Sequence, residues 1–176
     1  YLSMIQALSE SQEGSEERTI SKISRYASQE IRLILDNGVE NDQNTFVMLA
    51  TFRQQVVEPL IVQGVSVDWK LLCLMDQDII PASSSLNLFR ILQEGFHNAH
   101  VRAQCKHIEV KAEIHEASVV KITIVNSGGV TFDSTGKSGN GIRNMKRRAL
   151  MIDASFDIQP IPSGAKVELI FRLRTH

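Results

Sequence analysis

The sequence predicts an α/β fold, a two-layer α/β sandwich with a mixed sheet and helices on one face, preceded by a helical hairpin. Three observations carry this expectation. Apolar residues recur at helical spacing in three segments beyond residue 44, and they alternate with polar residues in five others. Their order along the chain is α, β, α, β, β, α, β, β. Neighbouring strands joined by short turns, with helices gathered on one side, settle into two layers.

Composition bounds the possibilities. The 176 residues, 43% hydrophobic and 22% charged, suffice for one domain with a core and some attached structure. A formal net charge of −1 without a basic run gives no polyanion-binding surface, so no direct nucleic-acid contact is expected. Cys73 and Cys105 stand apart, which suits neither a disulfide framework nor a zinc site and points to a reducing cytoplasm. Glu58, Pro59, Gln63 and Gly64 interrupt the longest apolar run, so no segment has the pattern of a membrane-spanning helix, and no signal peptide is visible. Because the chain begins at Tyr1, it is expected to be part of a larger protein. That parent is expected in the cytoplasm, with an inner-membrane anchor left open.

Along the chain, Ile20, Ile23, Ala27, Ile31 and Ile34 mark a helix that Asn37-Gly38 closes, so residues 1–38 read as a helical hairpin. Residues 39–44 read as a linker and 45–176 as the main domain. Asn44 or Thr45 is the expected cap of a helix carrying Phe46, Leu49, Arg53, Val56 and Leu60 on one stripe, bent near Pro59. Val65, Val67, Trp69 and Leu71 alternate with polar residues as a half-buried strand. Ser83-Ser84-Ser85 offers caps for a helix from about Leu86 to Ala103. Two strands follow, with inward sets Ile108, Val110, Ala112, Ile114 and Val120, Ile122, Ile124. A helix begins near Ile142, and two last strands (155–159 and 166–172) meet at a Pro160–Gly164 turn.

Two segments have the residue types of a ligand site. On the helix from Leu86, an apolar face of Leu88, Leu92, Gly95, Ala99 and Ala103 is flanked by a polar stripe of Arg90, Glu94, His97 and Asn98. Glu94 and Asn98, four apart, share one patch of surface. Gly95 costs about 1 kcal/mol against Ala in a helix interior and so signals close backbone packing. The second segment, Asn126 to Gly141, holds five glycines and runs into a helix N-terminus. Unpaired N–H donors and the positive end of a helix dipole there suit phosphate oxygens. The spacing matches neither a dinucleotide-binding fingerprint nor a P-loop.

Together, Gln93-Glu94-x-x-x-Asn98-Ala99, then Asn126-Ser127-Gly128, then Gly139-x-Gly141-Ile142-x-Asn144-Met145 resemble the catalytic ATP-binding domain of sensor histidine kinases. This is the Bergerat (GHKL) fold shared with gyrase B, and the short lid looks like the nitrate-sensor and DesK-type subfamily. The resemblance covers residues 45–173, with 1–38 resembling a dimerisation hairpin. It implies ATP and Mg2+ as ligands, with Asn98 holding magnesium and Glu94 orienting or deprotonating the nucleophile. It further implies Gly128 beneath the adenine, Gly139, Gly141 and Ile142 along the phosphates, and Asn144 holding the loop-to-helix turn. The implied reaction transfers the γ-phosphoryl group to a histidine outside this segment. The implied partners are a phosphoacceptor domain of the same or a partner chain, a response regulator, and a second copy in a homodimer.

Three departures from the family pattern stand out. The adenine-reading Asp falls at Asn126, an amide without charge assistance, which is expected to weaken binding by about 1–2 kcal/mol. The usual Lys-His pair is Val101-Arg102, leaving Arg102 as the basic phosphate contact. Residues 1–96 contain no histidine, so the phosphoacceptor expected on the first hairpin helix is absent, through truncation or degeneration, and the segment alone is not expected to autophosphorylate. Lys137 is either a solvated charge or a γ-phosphate contact. Three functions remain open: a working catalytic domain, a degenerate one serving as an interaction or dimerisation module, and a serine kinase of the same fold.

Overall fold

A computed structural model describes residues 43–72, 79–116, 118–129 and 140–173 of the chain. The hairpin expected over residues 1–38, together with Cys73, Lys137 and Gly139, lies outside the described residues. The chain divides into two compact units, Tyr1–Glu40 and Asn41–His176, and every described residue belongs to the second.

Five strands form one sheet in the order β2-β4-β5-β7-β6: β2 (Ser66–Leu72), β4 (His107–Glu116), β5 (Val119–Ser127), β6 (Ser155–Ile161) and β7 (Gly164–Arg172). The sheet is mixed, because β2 runs parallel to β4 while the other pairs are antiparallel. A helix between β2 and β4 makes that parallel pairing possible, since parallel neighbours need a long crossover. Two further strands, β1 (Gln43–Asn44) and β3 (Ile79–Ile80), pair apart from this sheet. With two residues each they carry no periodicity, and β1 takes the last two residues of the segment read as linker.

Alternation sorts the sheet into two faces. Ile108, Val110 and Ala112 pair with Asn126, Ile124 and Ile122 and lie inward with Leu169 and Phe171, all nearly sealed from solvent. The opposite face carries ions: Lys70–Glu109 (3.0 Å), Lys111–Glu113 (2.6 Å) and Glu168 between Lys121 (2.7 Å) and Lys166 (3.1 Å). One apolar and one charged face is what an antiparallel sheet covered on one side requires.

The helices cover the apolar face. They are α1 (Thr45–Phe52), α2 (Glu58–Val62), α3 (Ala82–His97) and α4 (Asn140–Leu150). Asn44 caps α1 as expected, its side-chain oxygen accepting the Val47 N–H at 3.0 Å. Of the expected stripe, Leu49 and Leu60 are buried, whereas Phe46 and Arg53 are exposed and Val56 is half-buried. A π turn, Arg53–Val57, joins α1 to α2, and the buried residues are Thr45, Met48, Leu49, Phe52, Val57 and Leu60, with Phe46 42% exposed. The wide turn steps five residues from Phe52 to Val57, where a regular helix would have placed Val56. Phe52 is the hub: it stacks on Trp69 of β2 (6.0 Å) and meets Phe89 and Phe96 of α3 edge-on (5.1 and 5.3 Å). Burying such rings supplies much of a core's stability.

α3 starts earlier than the sequence suggested. Pro81 is its N-cap, and its carbonyl accepts the N–H groups of Ser84 and Ser85 at 2.9 Å, so the serines lie inside the first turn and do not cap it. The fixed φ of proline suits a helix start. At the other end α3 widens into a π turn, Asn98–Arg102. Gln104, in the left-handed region at φ 50, then ends the helix, with the Cys105 N–H returning to the Ala99 carbonyl at 3.0 Å. α4 begins at Asn140, two residues before the expected start.

Candidate functional site

α3 and α4 lie antiparallel across the sheet, and two contacts fix their register. The Arg148 guanidinium donates to Asn87 Oδ1 at 3.1 Å, and seven residues away along each helix Gly141 meets Glu94. A Cβ added to Gly141 would overlap Glu94 Oε1, and it would stand 3.3 Å from Asn98 Nδ2. The buried Gly141 therefore joins the two motifs that the sequence pairs. Between Glu94 and Asn98 the helix is regular, because the Asn98 N–H still donates to the Glu94 carbonyl; this keeps both side chains on one patch. The π turn begins at Asn98 itself, a deformation often found where helices carry function.

This arrangement sets a carboxylate at the N-terminus of α4, where unpaired N–H groups and the helix dipole favour negative charge. Within that first turn, Arg143 donates to Asn140 Oδ1 at 2.6 Å. Ile142 is half-buried and Asn144 exposed. Arg102 lies in the π turn, its side chain outside the described residues. His97 and His100 are half-buried beside the motif, while Val101 is 54% exposed.

The other end of the site sits on β5. Asn126 and Ser127, at the start of the glycine-rich segment, are the last two residues of the strand. The inward series Val120, Ile122, Ile124 continues to Asn126, which is only 6% exposed, with its Nδ2 lacking a hydrogen-bond partner among the described residues. Gly95 of α3 rests on this strand: a Cβ there would come 3.3 Å from Ile124 Cδ1, which accounts for a glycine inside the helix.

Three glycines shape this end. Gly128 has φ +76, a conformation costly for residues with a side chain, and faces Lys106. Gly129 passes so near Ala103 that a Cβ would strike its carbonyl oxygen, and Gly164 of β7 is equally tight against the Asn126 carbonyl oxygen. The contributions of Gly129 and Gly164 were not foreseen. Their neighbours, Ala103 and Asn126, are distant in sequence, so only the fold reveals the contact. Lys106, beside Gly128, went unnoticed for the same reason.

The residues present fit a magnesium nucleotide. Asn98 offers one amide oxygen beside the start of α4. That suits magnesium, which keeps water and phosphate oxygens as ligands. The unpartnered Nδ2 of Asn126 offers a donor to the edge of a base.

No family model matches the sequence, and no curated protein is similar to it at the sequence level. Solved structures are similar in fold. The histidine kinase domain of a blue-light activated histidine kinase from Erythrobacter litoralis superposes with a TM-score of 0.59 at 11% identity, over 72% of this chain and 61% of that one. The nucleotide-free catalytic domain of the histidine kinase ThkA gives 0.58 at 11% identity, over 75% of this chain and 95% of that one. A mycobacterial sensor histidine kinase, MprB, gives 0.55 at 13% identity, over 78% of this chain and 99% of that one. The chain thus spans about three fifths of the first kinase structure and nearly all of the other two. Its mixed five-stranded sheet with helices on one face is the fold of histidine kinase catalytic domains.

Proposed function

We propose that this chain is the ATP-binding catalytic domain of a sensor histidine kinase, transferring the γ-phosphoryl group of ATP to a histidine on a phosphoacceptor domain outside the described residues. The observation that carries this reading is the meeting of Glu94, Asn98 and Gly141 at the N-terminus of α4, on a fold shared with histidine kinase catalytic domains.

Phosphoryl transfer asks mainly for positioning and charge neutralisation. The N–H groups of the first turn of α4 bind phosphate oxygens, and the Asn98 oxygen holds magnesium. Magnesium, when bound, offsets the charge that builds on the transferring group. Glu94 orients the attacking imidazole and takes up its proton. The Glu94 carboxylate lies against Gly141 in that first turn, beside the donors that take the phosphates in this reading.

The wider reading places the parent protein in the cytoplasm or anchored to its membrane, acting as a homodimer and passing its phosphoryl group to a response regulator. It favours the nitrate-sensor and DesK-type subfamily on the strength of the motif spacing. Among the described residues no helix is long and apolar enough to cross a membrane.

A titration followed by thermal shift tests the core of the proposal. Millimolar or tighter ATP binding that requires Mg2+ is expected. No shift with Mg-ATP at millimolar concentrations would sink it.

A further inference from the structure

Asn126 is a buried amide with an unsatisfied donor, and the chemistry of that donor bears on which base the site reads. Its Nδ2 has no partner among the described residues although Asn126 is only 6% exposed, and buried polar side chains in folded proteins are overwhelmingly hydrogen-bonded. The β7 backbone lies close on one side of the amide: a Cβ on Gly164 would stand 2.9 Å from Nδ2. A nucleobase seated at this end of β5 can present the acceptor that this donor lacks.

Purine bases present two complementary edges. Adenine places the N6 donor beside the N1 acceptor, whereas guanine and hypoxanthine place the O6 acceptor beside the N1 donor. An amide holds one acceptor and one donor group on neighbouring atoms, so a half-turn about its last torsion matches either edge. A carboxylate holds acceptors only; it suits the adenine amino group and repels O6.

We propose that Asn126 lets this site take 6-oxopurine nucleoside triphosphates, with guanine or hypoxanthine as base, alongside ATP. The inference rests on the nucleotide-binding reading given above and names the substrate class of that same site.

Dissociation constants for Mg-ATP, Mg-GTP and Mg-ITP, measured by calorimetry on the full chain and on Asn126→Asp, test it. In the unsubstituted chain GTP and ITP are expected within about tenfold of ATP, because the amide serves both edges. In Asn126→Asp the preference for ATP over GTP is expected to rise by about tenfold or more, since the carboxylate leaves O6 without a donor. A more than tenfold preference for ATP in the unsubstituted chain, or an unchanged ratio in the variant, overturns the inference while leaving nucleotide binding intact. Absence of binding by all three nucleotides to both proteins overturns the proposed function and this inference together. Should Asn126→Asp fail to fold, the ratio in the unsubstituted chain decides alone.

Discussion

The two ends of the candidate site are built from different materials. The base end is backbone: the end of β5, with Gly164 of β7 pressed on the Asn126 carbonyl and Gly129 pressed on Ala103. The proposed phosphate end consists of side chains at two helix termini, where Glu94 of α3 and Asn98 of the π turn that follows it reach the start of α4. Backbone packed on backbone has nowhere to move, whereas a carboxylate at the tip of a glutamate can swing aside. Substitution at the base end should therefore cost folding, and substitution at the phosphate end should cost binding.

The largest expected effect is at Gly164. A Cβ there overlaps the Asn126 carbonyl oxygen inside the β5–β7 ladder, so Gly164→Ala forces the two strands apart. We expect a loss of about 3 kcal/mol, or on the order of 10 °C in melting temperature, the upper range for overpacking. Calorimetric unfolding measures it, and a variant melting within about 2 °C of the parent would break the contrast between the two ends.

The same contrast explains what could be read from the sequence. Alternation and helical spacing depend on residues near one another in the chain, and they placed β4, β5, β7 and the apolar face of α3 correctly. The pairing of Glu94 with Asn98 was legible because four residues make a helical turn. Gly95 was legible as a sign of close packing, now explained by Ile124. The phase of the first helix was not, because nothing in Arg53–Val57 announces a π turn. Ser83–Ser85 misled as caps, since a helix that starts at a proline and carries serines in its first turn has the same local pattern as a serine cap. Gly129 and Gly164 were beyond reach because their constraint comes from residues far along the chain. The phosphate end, made of one helix turn and one glycine turn, was thus the readable half; the base end, made of contacts between strands, was not.

At the phosphate end the next effect in size belongs to Asn98→Ala. Removing the one side-chain oxygen that fits magnesium should weaken Mg-ATP binding by about 2 kcal/mol, roughly thirtyfold. Affinity for ATP measured in a chelator should stay the same, and melting should change little because Asn98 is only half-buried with its Nδ2 unpartnered. Equal losses with and without Mg2+ would remove Asn98 from the metal and leave it a packing residue.

Gly141→Ala sharpens the comparison further, because its clash resembles that of Gly164 but falls on a side chain. The added methyl overlaps the Glu94 carboxylate, which can turn away. Alanine also improves helix propensity by about 1 kcal/mol, offsetting the displacement. Stability should thus move by less than about 1 kcal/mol, while Mg-ATP affinity falls roughly five- to tenfold as the methyl intrudes on the backbone donors. A melting loss matching that of Gly164→Ala would show that the phosphate end is as rigid as the base end.

The smallest effect concerns the outer brace of the base end. Glu168 of β7 bridges Lys121 of β5 at 2.7 Å and Lys166 at 3.1 Å, on the solvent side of the two strands that carry Asn126 and Gly164. Hydrogen bonding from Lys121, then from Lys166, holds its carboxyl below the usual carboxylate range. A carboxyl depressed on folding contributes stability above its unfolded value, and the contribution is lost as pH falls through the folded value. Acidification from about pH 5 toward pH 3 should therefore loosen the β5–β7 pair, and because these ion pairs are still partly open to solvent the change should stay at about 2 °C or less in melting temperature. Glu168→Gln should lower the melting temperature slightly at neutral pH and flatten the acid slope. Hydrogen exchange at the Lys166 and Glu168 amides follows the same strands directly. If their protection in the parent is unchanged down to pH 3, the ion cluster does not brace this end, and the packing of Gly164 on Asn126 holds it unaided.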